Sequence, residues 1–399
     1  MRMTLVNQFY APDISPTAQL AASLAEHRAA LGDDVTVITG RAGYLEGLAR
    51  TEPSSPRPAV RVRRVWTPDV GKSALWRRLL GYLTFLIGAT TRLILLGRQD
   101  VIVSMTTPPF LVTGAVLHKL LRRDTRVVLW SMDCYPDAAE RLGELRPGGI
   151  ASRAQRRLNR WVFAHIDDVV VLDGAMRELL ERQYAAGPGK PVFSVIPNWE
   201  RLEAFPTAAE LPPWSGYADL PINGRKVVLY LGNTGVGHRF DTVLDAAVKL
   251  SDEAVFLFVG GGARTGSLVD AVAHRGLTNV LMHGYVRKDI TPAVMAGADA
   301  ALITLDDRSL GVMSPSKLHA TLAAGLPILY VGPEGSNVDE AISQFACGTS
   351  LRNGDTDGLA SSVRSLHNDP TAHERSRQAF ELHYSDHATL PQWDRVLDS

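Results

Sequence analysis

Hydrophobic residues in this chain form short β-branched runs that alternate with stretches of helical periodicity. The first unit has an apolar run at residues 3–6, a loop, a helix that Ser15 caps over residues 16–31, and a β-branched run at 35–39. Strand, loop, helix and strand in this order predict the opening of a parallel α/β sheet. Because ligands bind outside the carboxyl ends of such strands, Asp13 in the first loop is expected to face a cleft.

The same alternation continues along the chain and divides it into two halves. Residues 201–224 are rich in Pro, Gly and Ser, which is typical of a linker. A chain of 399 residues is also too long for one ordinary core, so two domains are expected. The apolar runs that predict strands lie at 101–105, 127–130, 169–172 and 192–196 before the linker, and at 227–231, 255–259, 280–282, 300–304 and 328–331 after it.

Residues 74–97 depart from this pattern because they are apolar without a clean polar face. The charge-free centre, residues 79–91, is too short to span a bilayer, which needs about 20 apolar residues. A wholly buried core helix is one interpretation. An interfacial membrane anchor is the other, because aromatic residues and arginines flank the apolar run. The sequence leaves both open, and it predicts an exposed loop for the Pro- and Arg-rich residues 50–70.

The composition narrows the function only slightly. Apolar content is 45% and charged content 21%, as in ordinary globular proteins, and the zero net charge does not favour nucleic acid as a partner. Cys134 and Cys347 form no metal or redox motif and suit a reducing cytosol. The first residues lack the apolar core of a signal peptide. The stretch from Arg61 to Arg98, however, has eight basic residues against one acid, Asp69.

Residues 311–327, GVMSPSKLHATLAAGLP, carry the strongest candidate chemistry. Ser314 as N-cap and Pro315 in the first turn predict a helix whose N-terminus presents Ser316 and Lys317. Free N–H groups and the helix dipole attract anions there, and a lysine adds a point charge suited to phosphate. A capped surface helix with a solvated lysine is the alternative.

A glycine-rich turn earlier in the chain favours the first interpretation. GNTGVGHR, from Gly232 to Arg239, follows a predicted strand and precedes a predicted helix. Glycines let the backbone approach an anion, although the spacing is neither a Walker A nor a G-x-G-x-x-G motif. With Lys317 on another strand-to-helix turn, His238 and Arg239 would place two positive turns at one crevice, which fits a diphosphate.

Acidic residues also follow predicted strands. Asp133 follows the predicted strand at 127–130, where a carboxylate is well placed to touch a substrate. We expect Asp137 to be an N-cap and the pair Asp306–Asp307 to cap a turn rather than bind metal.

Taken in order, LYLGNTGVGHRFDTVLDAA, FLFVGGGA, NVLMHGYVRKDI, GADAALITL and SPSKLHATLAAGLPILYVG resemble the C-terminal domain of glycosyltransferase family 4. NQFYAPD and DCYPDAAERLG resemble its N-terminal domain. The resemblance is strongest to the branch that builds cell-surface polysaccharides and lipid-linked oligosaccharides. It implies an α/β GT-B fold, in which two doubly wound Rossmann-like domains face each other across a cleft. The implied domains are residues 1–205 on the acceptor side and 206–380 on the nucleotide-sugar side, with a C-terminal helix at 381–399 crossing back.

The resemblance also implies site residues. Asp133, Arg239 and Lys317 would be catalytic, with Lys317 and Arg239 or His238 binding the donor diphosphate. Asp13 would lie on the acceptor side. The expected donor-binding residues are Gly232, Asn233, Gly235, His238, Tyr285, Arg287, Pro315 and Ser316. No metal and no cofactor are expected, because charged side chains would neutralise the leaving diphosphate.

Two features depart from the family pattern. Many members carry two glutamates eight positions apart, which match Val312 and Ala320 here. The ligand of the nucleotide ribose is therefore unassigned, with Glu334, Asp339 and Glu340 as candidates. The usual Gly-Gly turn after the first strand is Ala11-Pro12-Asp13, so acceptor recognition is expected to differ.

The expected function is retaining transfer of a sugar from a UDP- or GDP-linked donor to a lipid-linked or saccharide acceptor. The protein would be cytoplasmic, at the inner face of the cell membrane, with peripheral contact through the Arg61–Arg98 region. The alternatives are a soluble transferase that decorates a small molecule, a GT-B epimerase, and a non-catalytic scaffold.

Overall fold

The computed structural model describes residues 1–13, 15–41, 60–68, 75–185, 191–205, 211–369 and 371–399, without the side chains of 75–79 and 368. Several sequence predictions lie outside these described residues. They concern the exposed loop at 50–59, Asp69, Lys72, the linker residues 206–210, and the side chains of Trp76, Arg77 and Arg78.

A seven-stranded parallel sheet forms the first half, in the order β3-β2-β1-β4-β5-β6-β7. The order reverses between β1 and β4, which places the topological switch point there. Its strands are β1 Arg2–Val6, β2 Asp34–Gly40, β3 Arg61–Val65, β4 Val101–Met105, β5 Arg126–Trp130, β6 Asp168–Val171 and β7 Val192–Val195.

A six-stranded parallel sheet forms the second half, in the order β10-β9-β8-β11-β12-β13, with its switch point between β8 and β11. Its central strands are buried on both faces, as expected for a parallel sheet covered by helices. The strands are β8 Lys226–Leu231, β9 Ala254–Val259, β10 Val280–His283, β11 Ala300–Thr304, β12 Ile328–Val331 and β13 Gly348–Leu351.

Helices connect the strands and cover both sheets. Those of the first half are α1 Pro16–Ala30, α2 Leu75–Ile94, α3 Val112–Leu121, α4 Asp137–Arg141, α5 Ile150–Phe163 and α6 Gly174–Tyr184. Those of the second half are α7 Asp241–Lys249, α8 Thr265–His274, α9 Thr291–Ala296, α10 Lys317–Ala323, α11 Asn337–Phe345, α12 Thr356–Arg364, α13 Ala372–Ala379 and α14 Asp386–Leu397. The predicted Ser15 cap is confirmed, since its side chain accepts from the Ala18 N–H.

The last helix, α14, packs on the first half rather than the second. The buried guanidinium of Arg28 on α1 binds Asp394 at 2.9 Å and Asp398 at 2.7 Å. Trp393 stacks obliquely on Trp130, with ring centroids 4.5 Å apart. Both rings are fully buried, so the end of the chain completes the first core.

Two strands escaped the sequence analysis. Residues 61–65, predicted as loop, form the edge strand β3, whose first three residues are exposed and whose Val65 is buried. RVRRV does not alternate strictly between apolar and polar residues, so it gives little periodic signal for a strand. Strand β13 is short, and the backbone of Ile328 approaches Gly348 so closely that a Cβ there would lie 2.1 Å from its carbonyl oxygen. Small residues of this kind carry little hydrophobic periodicity.

Helix α2 is neither wholly buried nor polar on one face. Phe85, Ala89 and Leu93 are fully buried against the first sheet. Apolar side chains also lie exposed on the outer side, with Leu83 54% and Ile87 59% exposed. Within the described residues, no helix combines the length and the apolarity needed to cross a membrane.

Candidate active site

Lys317, the first residue of α10, is held by groups at the carboxyl end of strand β8 and in the turn after it. Its Nζ donates to the Asn233 carbonyl at 3.1 Å and lies 4.6 Å from the centre of the Tyr230 ring. The Tyr230 hydroxyl donates to the same carbonyl at 2.8 Å, so the loop backbone is fixed from both sides. Burial lowers the pKa of Lys317 to about 7. An ammonium in such surroundings gains strongly from an anionic ligand.

His238 is the third neighbour of the Lys317 ammonium and accepts a hydrogen bond from it. Its Nδ1 lies 2.6 Å from the carbonyl oxygen of Thr304 at the end of β11. A carbonyl only accepts, so Nδ1 carries the hydrogen and Nε2 faces Lys317 Nζ at 3.4 Å with a lone pair. Burial, reinforced by the charge of Lys317, lowers the pKa of His238 to about 3. His238 is therefore neutral and orients the lysine without adding charge.

The turns that follow β8 and β9 interlock. Gly262 has φ +150°, and a Cβ there would lie 2.1 Å from Asn233 Oδ1. At Gly260, φ is +138° and a Cβ would lie 2.2 Å from the Gly232 carbonyl oxygen. Only glycine suits both positions, because they combine a positive φ with no room for a side chain. The hydroxyls of Thr234 and Thr265 lie 2.8 Å apart and join the same two turns.

The loop before α10 connects the two halves. The Cys134 N–H donates to the Val312 carbonyl at 3.1 Å, and Asp133 forms an isolated antiparallel bridge with Met313. Met313 also packs so closely on Gly237 that a Cβ there would lie 2.2 Å from its sulfur. Asp133 and the Lys317 surroundings are thereby placed at one interdomain cleft.

Asp133 sits at the carboxyl end of β5, above a mostly apolar cavity whose lining includes Pro109, Phe110 and Phe163. Its backbone N–H lies 3.3 Å from Thr106 Oγ1. Within the described part of the chain its carboxylate has no hydrogen-bond or ion-pair partner, and burial raises its pKa to about 6. Such a carboxylate can accept a hydrogen bond or a proton near neutral pH.

Other predicted site residues lie at the same edge but are engaged elsewhere. Arg239 is 46% exposed and binds Asp241 at 3.0 Å. The Tyr285 hydroxyl donates to the Gly261 carbonyl at 3.0 Å, while Arg287 binds Asp289 at 2.6 Å. On the opposite side of the cleft, the Asp13 carboxylate accepts from the Ser15 N–H at 2.8 Å. All four side chains therefore have partners within the protein, and their predicted role in substrate binding stays a prediction.

Three local expectations can be compared with the structure. The turn at Asp306 is confirmed, since its carboxylate accepts from the Arg308 N–H. The Ser314 cap is wrong, because α10 begins at Lys317 and its cap residue is Ser316, whose side chain makes no capping hydrogen bond. Met313, the residue before Ser314, is paired with Asp133 in the interdomain bridge. Pro315, buried, precedes this start.

The cap predicted at Asp137 is wrong as well. Asp137 lies inside α4, and its buried carboxylate binds Arg156 at 2.9 Å. Among the ribose candidates, Asp339 is already held by Arg352, Ser350 and the Gly335 N–H. Glu334 and Glu340 stay predictions.

The sequence analysis missed Tyr230 and Met313. Tyr230 supplies the aromatic face beneath Lys317, and Met313 fills the space beside Gly237. A tyrosine as the penultimate residue of a strand before a glycine-rich turn was an available signal. No local sequence signal pointed to Met313, because it contacts Gly237, 76 positions away in sequence, and Asp133 in the other half of the protein.

The amino-acid sequences of the two halves that form this cleft match known protein families. Residues 17–199 match the model of the glycosyl transferase 4-like domain, and residues 225–369 match that of glycosyl transferases group 1. The chain belongs to the glycosyltransferases of GT-B fold, as the resemblance predicted.

Individual relatives agree with this family. The WbjE protein of Pseudomonas aeruginosa, named as a probable glycosyltransferase, is 30% identical over 66% of this chain and 65% of its own length, just under two thirds. The WcaI protein of Escherichia coli K12, named for glycosyl transfer in colanic acid biosynthesis, is 26% identical over 82% of each chain. The structure of HepE from Anabaena in complex with UDP superposes over the whole of both chains with a TM-score of 0.70 and 14% identity.

Proposed function

We propose that this protein transfers a sugar, with retention of anomeric configuration, from a UDP- or GDP-linked donor to a lipid-linked or saccharide acceptor in cell-surface glycan synthesis. The observation that carries the proposal is the half-buried ammonium of Lys317, held by Asn233, His238 and Tyr230 at the switch point of the second sheet. Two of its three N–H groups have partners, so the third is available to a ligand.

In the proposed step, the bond from the anomeric carbon to the diphosphate oxygen breaks and its electron pair leaves with the diphosphate. The acceptor oxygen forms the new bond to the same carbon from the face that the diphosphate leaves, so the anomeric configuration is retained. Its proton passes to Asp133, whose carboxylate is ionised above a pKa of about 6. Lys317 stabilises the charge that develops on the leaving diphosphate, and no metal is required for this neutralisation.

A nucleotide panel tests the donor site. UDP, GDP, dTDP and ADP are added to wild type, Lys317→Ala and Arg308→Ala, and thermal unfolding is followed. A ligand at 100 times its Kd adds about 2.7 kcal/mol, which should raise Tm by several degrees. We expect one nucleotide to stabilise wild type and Arg308→Ala, a change at an exposed arginine paired with Asp306. A panel that stabilises none of the proteins would count against a donor site here.

The stereochemistry and metal independence need a transfer assay. Candidate lipid-linked acceptors are incubated with the stabilising donor class, with and without EDTA, and the new linkage is examined by NMR. Retention and unchanged turnover in EDTA are expected. An inverted linkage, or activity lost to EDTA and restored by a divalent cation, would contradict the mechanism.

We further propose that the outer side of α2 contacts an anionic membrane surface, which would place the acceptor's lipid beside the first domain. Leu80, Leu83, Ile87 and Ile94 recur at spacings of three, four and seven on one side of the helix and are 37–59% exposed. Arg63 on β3 and Arg92 on α2 are exposed in the same region of the chain. Exposed apolar side chains together with cationic side chains suit the interface of an anionic bilayer.

Vesicle co-sedimentation tests this contact. Wild type should bind vesicles that contain phosphatidylglycerol more strongly than pure phosphatidylcholine vesicles. Ile87→Asp should lose this binding, whereas Val248→Asp, at a valine 54% exposed on the second domain, should not. Equal binding by all three proteins would remove the proposal, and so would no binding by wild type.

A further inference from the structure

The cations around the carboxyl edge of the second sheet differ in whether they already have partners. Most are bound by a neighbouring group. Arg239 binds Asp241, Arg287 binds Asp289, Arg308 binds Asp306, and Lys288 donates to Gln19 of the first domain. Each of the three arginines is paired with a carboxylate two positions away in sequence, so its charge is largely neutralised locally.

Arg264 is different. It precedes α8 in the turn after β9, and its side chain is half-buried. Within the described residues, its guanidinium has neither a carboxylate nor a hydrogen-bond acceptor. Together with Lys317, it is a cation at this edge whose charge no carboxylate of the described chain neutralises.

The backbone of Arg264 is fixed against the donor turn. Its N–H donates to the Thr234 carbonyl at 2.9 Å, and the adjacent Thr265 hydroxyl lies 2.8 Å from that of Thr234. Gly262, two positions earlier, fits against Asn233, whose carbonyl binds Lys317. The root of the arginine side chain is therefore part of the same rigid pair of turns that holds the lysine.

The electrostatics agree with this placement. The positive charge of Arg264 contributes to lowering the pKa of His238 and that of Asp306. His238 contacts Lys317, and Asp306 follows β11 with its carboxylate already bound by Arg308. The guanidinium therefore lies near enough to His238 and Asp306 to lower the pKa of each, whereas burial lowers the pKa of Lys317.

We propose that Arg264, with Lys317, forms a two-cation site for the diphosphate of the donor, and that Arg239 is not part of it. This inference rests on the proposed function. A diphosphate diester carries two negative charges, so two unneutralised cations match it. The planar guanidinium can bind two phosphate oxygens at once, whereas the lysine acts as a point charge.

Calorimetric titration separates the two arginines. The stabilising nucleoside diphosphate and its nucleoside are titrated into wild type, Arg264→Gln, Arg264→Lys and Arg239→Gln. Arg264→Gln should weaken the diphosphate at least about tenfold and leave the nucleoside unchanged, as expected for a lost charge-assisted contact. Arg264→Lys should recover part of the loss, and Arg239→Gln should behave as wild type. Melting temperatures verify folding of each variant.

The inference is overturned if Arg264→Gln binds the diphosphate as wild type does, or if Arg239→Gln loses as much affinity. It is also overturned if diphosphate and nucleoside weaken equally, because the effect would then not concern the phosphates. If the wild-type protein binds a nucleoside diphosphate in these cases, the proposed function is not affected. If the wild-type protein binds none, both the inference and the proposed function are overturned.

Discussion

Asp133 at the edge of the first sheet and Lys317 at the edge of the second are ionisable groups of opposite sign that burial affects in opposite directions. The pKa of Asp133 rises to about 6, and that of Lys317 falls to about 7. Burial disfavours the charged form of each, so the acid becomes weaker and the ammonium more acidic. The two values converge near neutrality, where each group can change its charge when a substrate arrives.

The supports of the two groups differ. The lysine has three neighbours that fix its position, including an aromatic face and a neutral histidine. The aspartate has a backbone bridge to Met313 but no side-chain partner among the described residues. In the proposed function, the second edge would therefore hold the donor diphosphate in a fixed position, whereas the first would be open to an acceptor hydroxyl.

Removal of the carboxylate should have the largest effect. Asp133→Asn preserves shape but cannot take up the acceptor proton, and loss of a general base reduces turnover by about 100-fold or more. Nucleoside diphosphate affinity should stay as in wild type, because the donor edge is intact. Steady-state kinetics and calorimetry check the two parts. Full turnover in Asp133→Asn would show that the difference between the two edges has no role in catalysis.

Removal of the lysine should come next. Lys317→Ala loses a charge-assisted interaction of roughly 1.5–3 kcal/mol, about 10- to 150-fold in rate or affinity. Unlike Asp133→Asn, it should weaken nucleotide binding as well as turnover. The matched change Arg308→Ala should affect neither. Equal nucleotide affinity in Lys317→Ala and wild type would contradict the donor assignment.

The pH dependence should reflect both groups. Ionised Asp133 exists above about pH 6 and charged Lys317 below about pH 7, so kcat/KM should be bell-shaped. Each limb should fall by up to about tenfold per pH unit. Nucleotide affinity should decrease as pH rises above about 7, because the neutral lysine must take up a proton on binding.

Variants assign the limbs of this profile. Lys317→Arg keeps its charge at high pH, so its alkaline limb should move upward, while the acid limb stays in place. A profile that remains flat from pH 5 to 9 would contradict the assignment of both groups.

The smallest effect concerns the rigidity of the second edge. Gly262→Ala forces a side chain into a positive φ against Asn233 and should destabilise the protein by about 1–3 kcal/mol. Gly266→Ala is the matched control, since no atom lies within 4 Å of a Cβ there and it sits in α8. The control should stabilise by about 0.5–1 kcal/mol. Chemical denaturation measures both, and similar values would argue against the interlocked turns.

The sequence predicted most of the architecture because β-branched runs and helix punctuation are local signals. It placed Lys317 at the start of a helix for the same reason, although the cap residue that it predicted, Ser314, was wrong. Tyr230, Met313 and Arg264 escaped because their contacts are with residues that are distant in sequence.

Arg239 is the opposite case, a residue that the sequence suggests for the site and that the structure pairs with another side chain. The sequence displays its charge beside a glycine-rich turn but not the direction of its side chain. The structure pairs it with Asp241, two positions on. An arginine followed at this spacing by a carboxylate is a local warning that its charge can be satisfied without a ligand, as also occurs at Arg287 with Asp289.

The position of α14 affects how this protein can be recombined with its relatives. Its Trp393 lies in the first core, and the buried Arg28 depends on Asp394 and Asp398. A chimera that exchanges the acceptor half alone would join a foreign α1 to the native final helix and leave a buried guanidinium or carboxylate unmatched. Exchange of acceptor specificity by domain grafting therefore requires two crossover points, one in the linker and one before residue 386.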